Sequence, residues 1–280
     1  MTVPNLADPD LRVGAVRRLL DRAEHGDVEL GVLGGADLCV LGGPRHAVFP
    51  EATTQAWLGL GEQERSDAID HVTARLVKDG QLIREPGTDG ADYALSPELG
   101  VILGARCRPA FAVVSQAEGR AVPALSMFAV SDEGNPVRAI VAEFLAKPPD
   151  PATDRPAWPL ACVYAYLLVS PSRAASLLAE WAITAPPKAR RRAKEPVRVL
   201  TRFSPADDHD RIGLPMKVLG DGTRARVWTG DAERHCDRHE LEAIMSGFLA
   251  GAPQRAVTPE SLAPTPSPAV PALRPCCGGA

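Results

Sequence analysis

No stretch of this 280-residue chain carries about 18 consecutive apolar residues, so no helix is expected to span a bilayer. The opening MTVPNLADPDLRVGAVRRLL has no apolar core behind its charges and no small-residue cleavage site, so it does not read as a secretory signal. Neither GxxxxGKS/T nor GxGxxG before a helix occurs, and the glycines between Leu30 and Gly43 do not make a phosphate loop. A basic excess is missing as well. The net charge is −4 and the pI near 5.9, against wholesale binding of nucleic acid or an anionic membrane. Six cysteines are too few to staple a chain of this length, and Cys39, Cys107 and Cys162 lie in apolar runs that suit small buried hydrophobes. No serine elbow and no Cys–His spacing nominates a nucleophile. A cytoplasmic, non-enzymatic protein without a cofactor is the expectation.

What remains is ordinary globular material, 45% hydrophobic and 24% charged. Val13, Val16, Leu19 and Leu20 repeat at helical spacing. Residues 30–41 (LGVLGGADLCVL) read as short strands broken by glycines. From Gly61 a helix is signalled by Ile69, Val72, Leu76 and Val77, stopped by Asp79-Gly80. Leu82-Ile83 opens a strand, 86–90 is a turn, and Tyr93 to Leu95 returns. Ser96-Pro97 then caps and starts another helix. Beyond Pro109 the pattern turns to sheet, at 111–114, 125–130, 138–144 and 162–169, with a Ser170-Pro171 helix after the last. Strands recur at 197–203, 215–219 and 224–228, the last two joined by Gly220-Asp221-Gly222, and a helix closes at 238–249. The stretches YALSP (93–97) and YLLVSP (166–171) share one strand, Ser-Pro, helix order, a possible internal pseudo-repeat. The class is α+β: residues 1–104 hold an N-terminal helix and a winged-helix-like unit at about 50–104, residues 105–251 form an α+β domain with mixed or antiparallel sheets, and 252–280 are a Pro-rich, disordered tail.

A winged helix raises the question of DNA, and charge answers it. Residues 62–79 carry Arg65, Arg75 and Lys78 against Glu62, Glu64, Asp67, Asp70 and Asp79, or 3 − 5 = −2. The wing adds Arg84 against Glu85, Asp89 and Asp92, or 1 − 3 = −2. Uncompensated carboxylates repel a phosphate array over roughly 8–10 Å at physiological salt. Sequence-specific DNA recognition is therefore not expected, and a winged-helix transcriptional regulator is the alternative reading.

Leu76, Gly80, Leu82, Tyr93, Leu95, Pro97, Leu99 and Leu103, followed by a multi-stranded sheet, a second strand-helix half, the 220–223 hairpin and a closing helix, resemble the EspG family of ESX secretion-associated proteins over roughly residues 45–250. The resemblance implies a cytosolic chaperone without catalytic residues that binds helical secretion substrates. The N-terminal helix region and the Pro-rich tail depart from that pattern.

Four constellations suggest chemistry. His235 and His239, four apart around Cys236, would share a helix face and could chelate zinc. Asp237 and Glu240, however, form a capping box that starts the helix at Asp237 and leaves His235 outside it. Asp207, Asp208, His209 and Asp210 could hold a cation, but read as a solvated acidic loop. Lys188, Arg190, Arg191, Arg192, Lys194 and Arg198 make a basic patch facing one Glu195, read as a solvated loop or a sequence-independent contact for an acidic partner. Cys276 and Cys277 end the tail as vicinal thiols that could take a soft metal or be modified. The expected function is a binding or adaptor protein that masks an apolar helical partner. A further alternative is a folded recognition body that presents the Cys-Cys tail. The sequence leaves the oligomeric state open.

Overall fold

The computed structural model describes residues 9–42, 46, 50–85, 93–117, 122–131, 137–147, 158–184, 197–203, 215–229 and 232–250. Helix α1 (Pro9–His25) turns Val16, Leu19, Leu20 and Ala23 inward, at i, i+3, i+4 and i+7. It leads into strand β1 (Val28–Gly34), then helices α2 (Gly35–Leu41), α3 (Glu51–Leu58) and α4 (Glu62–Lys78). Gly80, at φ 69°, ends the α4 segment in the left-handed conformation that glycine adopts without a Cβ clash. Strands β2 (Leu82–Arg84) and β3 (Tyr93–Leu95) pair as a two-stranded ribbon before helix α5 (Pro97–Cys107). Helix, ribbon, helix is the order expected of the winged unit.

Strands β4 (Ala112–Ala117), β5 (Leu125–Ser131), β6 (Val137–Lys147) and β7 (Val163–Val169) follow, with a 3-10 turn at Trp158–Ala161 ahead of β7. Helix α6 (Pro171–Ile183), strands β8 (Arg198–Phe203), β9 (Met216–Gly220), β10 (Ala225–Thr229) and β11 (Ala232–Cys236), and helix α7 (Arg238–Ala250) complete the α+β chain. Among the described residues nine strands form one antiparallel sheet in the order β1-β7-β6-β5-β4-β8-β9-β10-β11. The first of them comes from the N-terminal segment, since β1 lies against β7 from Val28↔Leu168 to Gly34↔Val163.

The period of two along each strand sorts the side chains into two cores. Phe128 and Val130 of β5, Ala139 and Val141 of β6, and Tyr164, Tyr166 and Leu168 of β7 pack beneath α1, α4 and α5. Leu125, Met127 and Ala129, then Ile140 and Ala142, pack on the other face beneath α6 and α7. A leucine-sized side chain fully withdrawn from water contributes about 1.5–3 kcal/mol, so the twice-covered strands β5 and β6 anchor the molecule.

Several local expectations are met in detail. Ser96 and Ser170 accept hydrogen bonds from the Leu99 and Arg173 amides, each with a proline in the first helical turn. Asp237 and Glu240 exchange side-chain and backbone hydrogen bonds at 2.9 and 3.0 Å, the capping box of α7. Asp221 Oδ1 receives the Thr223 and Arg224 amides, both at 2.8 Å, closing the β9–β10 hairpin. Three expectations change. Residues 30–41 are not broken strands, since helix α2 begins at Gly35, where Asp37 Oδ2 takes the Gly34 amide at 2.5 Å. Ile69, expected inside, is 40% exposed, while Val72 and Leu76 are buried as expected. An additional strand, β11, precedes α7. The Pro-rich tail lies outside the described residues.

Candidate functional site

Among the described residues, those nominated from sequence do not form one site. His235 sits on strand β11, exposed and 3.6 Å from Glu233 Oε1, whereas His239 lies in the first turn of α7 beyond the Asp237 cap. Strand and helix geometry therefore replace the i, i+4 face that a chelate would need. Among the described residues no group of three or more His, Cys, Asp or Glu side chains is placed to hold a metal. Arg198 belongs to the fold: its guanidinium stacks 4.3 Å from the Trp181 ring centre, and Nη2 donates to the Thr184 carbonyl at 2.6 Å, at the end of α6. Lys188, Arg190, Arg191, Arg192, Lys194, the 207–210 cluster, Cys276 and Cys277 lie outside the described residues.

On the winged unit the structure adds to the charge argument. Arg75, one of three cations on α4, contacts Asp37 Oδ2 at 2.5 Å and Asp79 Oδ2 at 3.4 Å. Its charge is compensated within the protein.

The densest chemistry is buried under α5. Arg106, 1% exposed, forms an ion pair and hydrogen bond with Glu143 Oε2 of β6 and lies 5.0 Å from the Phe128 ring centre. The Tyr166 hydroxyl donates to the same Glu143 oxygen at 2.6 Å. Burial pulls the Arg106 pKa down, but Glu143 and the neighbouring tyrosines outweigh it and leave the guanidinium above its ordinary value. Burial, and then the Glu143 charge, holds the Tyr166 phenol well above its usual range. Burial pushes the Cys39 thiol up to about 12 and also raises Cys162. Cys39 and Cys162 are thus the buried small hydrophobes expected, and Cys107 is half-buried.

One pairing appears that spacing could not suggest. His46 Nε2 lies 3.1 Å from the Leu38 carbonyl, which makes Nε2 the protonated nitrogen. Nδ1 is then the acceptor facing Cys107 Sγ at 3.8 Å. Burial first, and the Arg106 charge second, lower the His46 pKa from 6.5 to about 3. An imidazole whose burial disfavours the proton makes a poor base for a thiol. Its consequence is a pH dependence. With the folded pKa depressed, the unfolded chain takes the proton first, so stability is complete above about pH 6.5 and falls as the pH drops toward 3. The slope is about 1.4 kcal/mol per pH unit, and urea unfolding at pH 5 should give about 2 kcal/mol less stability than at pH 7. His46→Gln should remove that difference, and an unchanged difference would refute the assignment.

The sheet offers a surface of a different kind. On β8–β11, Leu200, Met216, Val218, Ala225 and Val227 point into the core beneath α6 and α7. The alternate residues meet one another on the opposite face: Val199↔Lys217, Lys217↔Trp228, Leu219↔Arg226, Trp228↔Glu233 and Arg226↔His235. None of them joins the core beneath α1, α4 and α5. Val199, Thr201, Phe203, Leu219 and Trp228 are half-buried there, with Lys217, Arg226, Glu233 and His235 exposed around them. Arg226 lies over the Trp228 ring at 5.3 Å. A row of apolar side chains with a polar and charged surround can lay an amphipathic segment against itself without covalent chemistry.

No described helix is long and apolar enough to cross a membrane. Compared with known protein families, curated proteins and solved structures, the chain matches none.

Proposed function

We propose that the protein is a non-catalytic, cytoplasmic binding or adaptor protein, an EspG-like chaperone that masks an apolar helical partner. The observation that carries this reading is the half-face of β8–β11, where Val199, Phe203, Leu219 and Trp228 share a side of the sheet and lie outside the core beneath α1, α4 and α5. A helix about 10 Å across laid along these strands would cover apolar side chains on both partners. The buried polar groups favour binding over catalysis, because the Arg106 and His46 clusters are closed on themselves beneath helices. The charge of α4, with Arg75 held by Asp37, favours a protein over DNA.

The test is affinity capture from native lysate at physiological salt, with nuclease, by the wild type and by Leu219→Asp/Trp228→Asp. Wild type should retain one stoichiometric helical protein. The double variant, checked for folding by circular dichroism, should lose about thirtyfold in affinity, the size of a hot-spot loss near 2 kcal/mol. Equal capture by both proteins, or no protein partner, would overturn the reading. Retention of nucleic acid alone, and only without nuclease, would move the function to the DNA-binding alternative.

A further inference from the structure

The last turn of strand β8 holds a cation that the fold leaves incomplete. Arg202 is 5% exposed and opposes Val113 across the β4–β8 ladder. Two residues on from Leu200, it points to the α6 and α7 side of the sheet. Its guanidinium lies 4.5 Å from the centre of the Phe111 ring, which covers one flat face. Nε and Nη2 have no solvent contact and no hydrogen-bond partner. These two nitrogens lie side by side along one edge of the guanidinium. Their N–H bonds run parallel, in the fork that accepts two oxygens of one carboxylate or phosphate. The unsatisfied donors are thus not scattered but form a complete bidentate receptor.

The strand runs beside β4 through Phe203, and Arg202 keeps both donors buried beside that ladder. A buried, uncompensated cation is among the costlier groups a fold can keep, and an opposing oxyanion is the usual remedy.

We propose that the Nε–Nη2 edge of Arg202 is an oxyanion-binding site, which takes one carboxylate or phosphate group through two parallel N–H donors at the end of β8. The site is independent of the β8–β11 half-face, since Arg202 lies on the other side of the sheet. The anion can be a small free one or the side chain of a glutamate, and three probes separate these sources: inorganic phosphate, acetate, and glutamate blocked at both termini. Each is added to the full-length protein at matched ionic strength against sodium chloride, and the thermal midpoint is read. At about ten times its dissociation constant, a bound anion should raise the midpoint by roughly 3 °C. A response to phosphate or acetate assigns a free anion, and a response to blocked glutamate alone assigns a side chain. Arg202→Lys keeps the charge but loses the fork and should lose most of the rise, as should Arg202→Met. Should these variants fail to fold, the wild-type Arg202 Nε–H resonance, which should move downfield on titration, carries the test. A midpoint and a resonance that ignore all three probes overturn the proposal, as does an equal rise in wild type and Arg202→Met.

Discussion

Glu143→Leu is expected to lower stability by about 3–5 kcal/mol, and adding Arg106→Met to the same chain should return most of that loss. The asymmetry follows from where the charges sit. Arg106 is 1% exposed and its counter-charge is the Glu143 carboxylate, so removing the acid strands a guanidinium with no water to solvate it. Removing both charges puts apolar side chains of similar length in place of the ion pair, against Phe128 and within a core already made of Leu99, Ile102 and Val141. Tyr166 complicates the balance, because its hydroxyl donates to the same Glu143 oxygen and would be orphaned in either variant. Tyr166→Phe in the double background should therefore recover a further 1–3 kcal/mol or so, the cost of an unpaired buried hydroxyl. Urea denaturation of the four proteins decides the matter. A single variant that loses under 1 kcal/mol, or a double variant no better than the single, would show that the pair is solvated.

Gly220→Ala should cost about 3 kcal/mol, at the upper end of ordinary overpacking. Gly220 closes strand β9 against the end of α6, and a Cβ built there would stand 2.6 Å from the Ile183 carbonyl oxygen and 2.7 Å from its Cα, with the Ala182 oxygen nearer still. All of these are backbone atoms, which cannot rotate aside as a side chain would. The same junction holds the hairpin to the helix, since the Gly222 amide donates to the Ile183 carbonyl at 2.9 Å. The matched control has the opposite sign. Gly247 lies inside α7, where an added methyl would meet nothing within 4 Å, so Gly247→Ala should stabilise by about 0.5–1 kcal/mol. Thermal unfolding of both variants tests the pair, and similar midpoints would refute the packing argument.

Where chemistry is local, the sequence was a good guide. Ser96, Ser170 and the Asp237–Glu240 box announce their helices because a cap is satisfied within three residues. Helix α2 escaped because its support is remote: Asp37 caps it, but Arg75, thirty-eight positions later (75 − 37), holds Asp37 in place. Strand β11 escaped for another reason. As an edge strand it exposes Ala232 through His235, so no apolar alternation marks it. Ile69 fits the helical stripe of α4, yet it stays exposed while Val72 and Leu76 of the same stripe are buried. The Arg106–Glu143 pair was the least visible element, although one signal was present. Glu143 is a lone carboxylate in AIVAEFLA, a run otherwise apolar on both faces, and such an acid must find a cation inside. Which cation it finds is a tertiary fact that spacing does not encode.

The place of β1 at the sheet's edge has a consequence for biosynthesis. Val28 pairs with Leu168, a separation of 140 residues (168 − 28), so the strand made early has no ladder partner until the second half of the chain has emerged. At a translation rate of about 5–20 residues per second, that wait is roughly 7 to 28 s. During it, Leu30 and Leu33, both buried in the finished protein, have no β7 to lie against. Closing so distant a contact is slow in any refolding experiment. During synthesis it leaves the apolar strand of the nascent N-terminal half without its neighbour until the second half of the chain has been made.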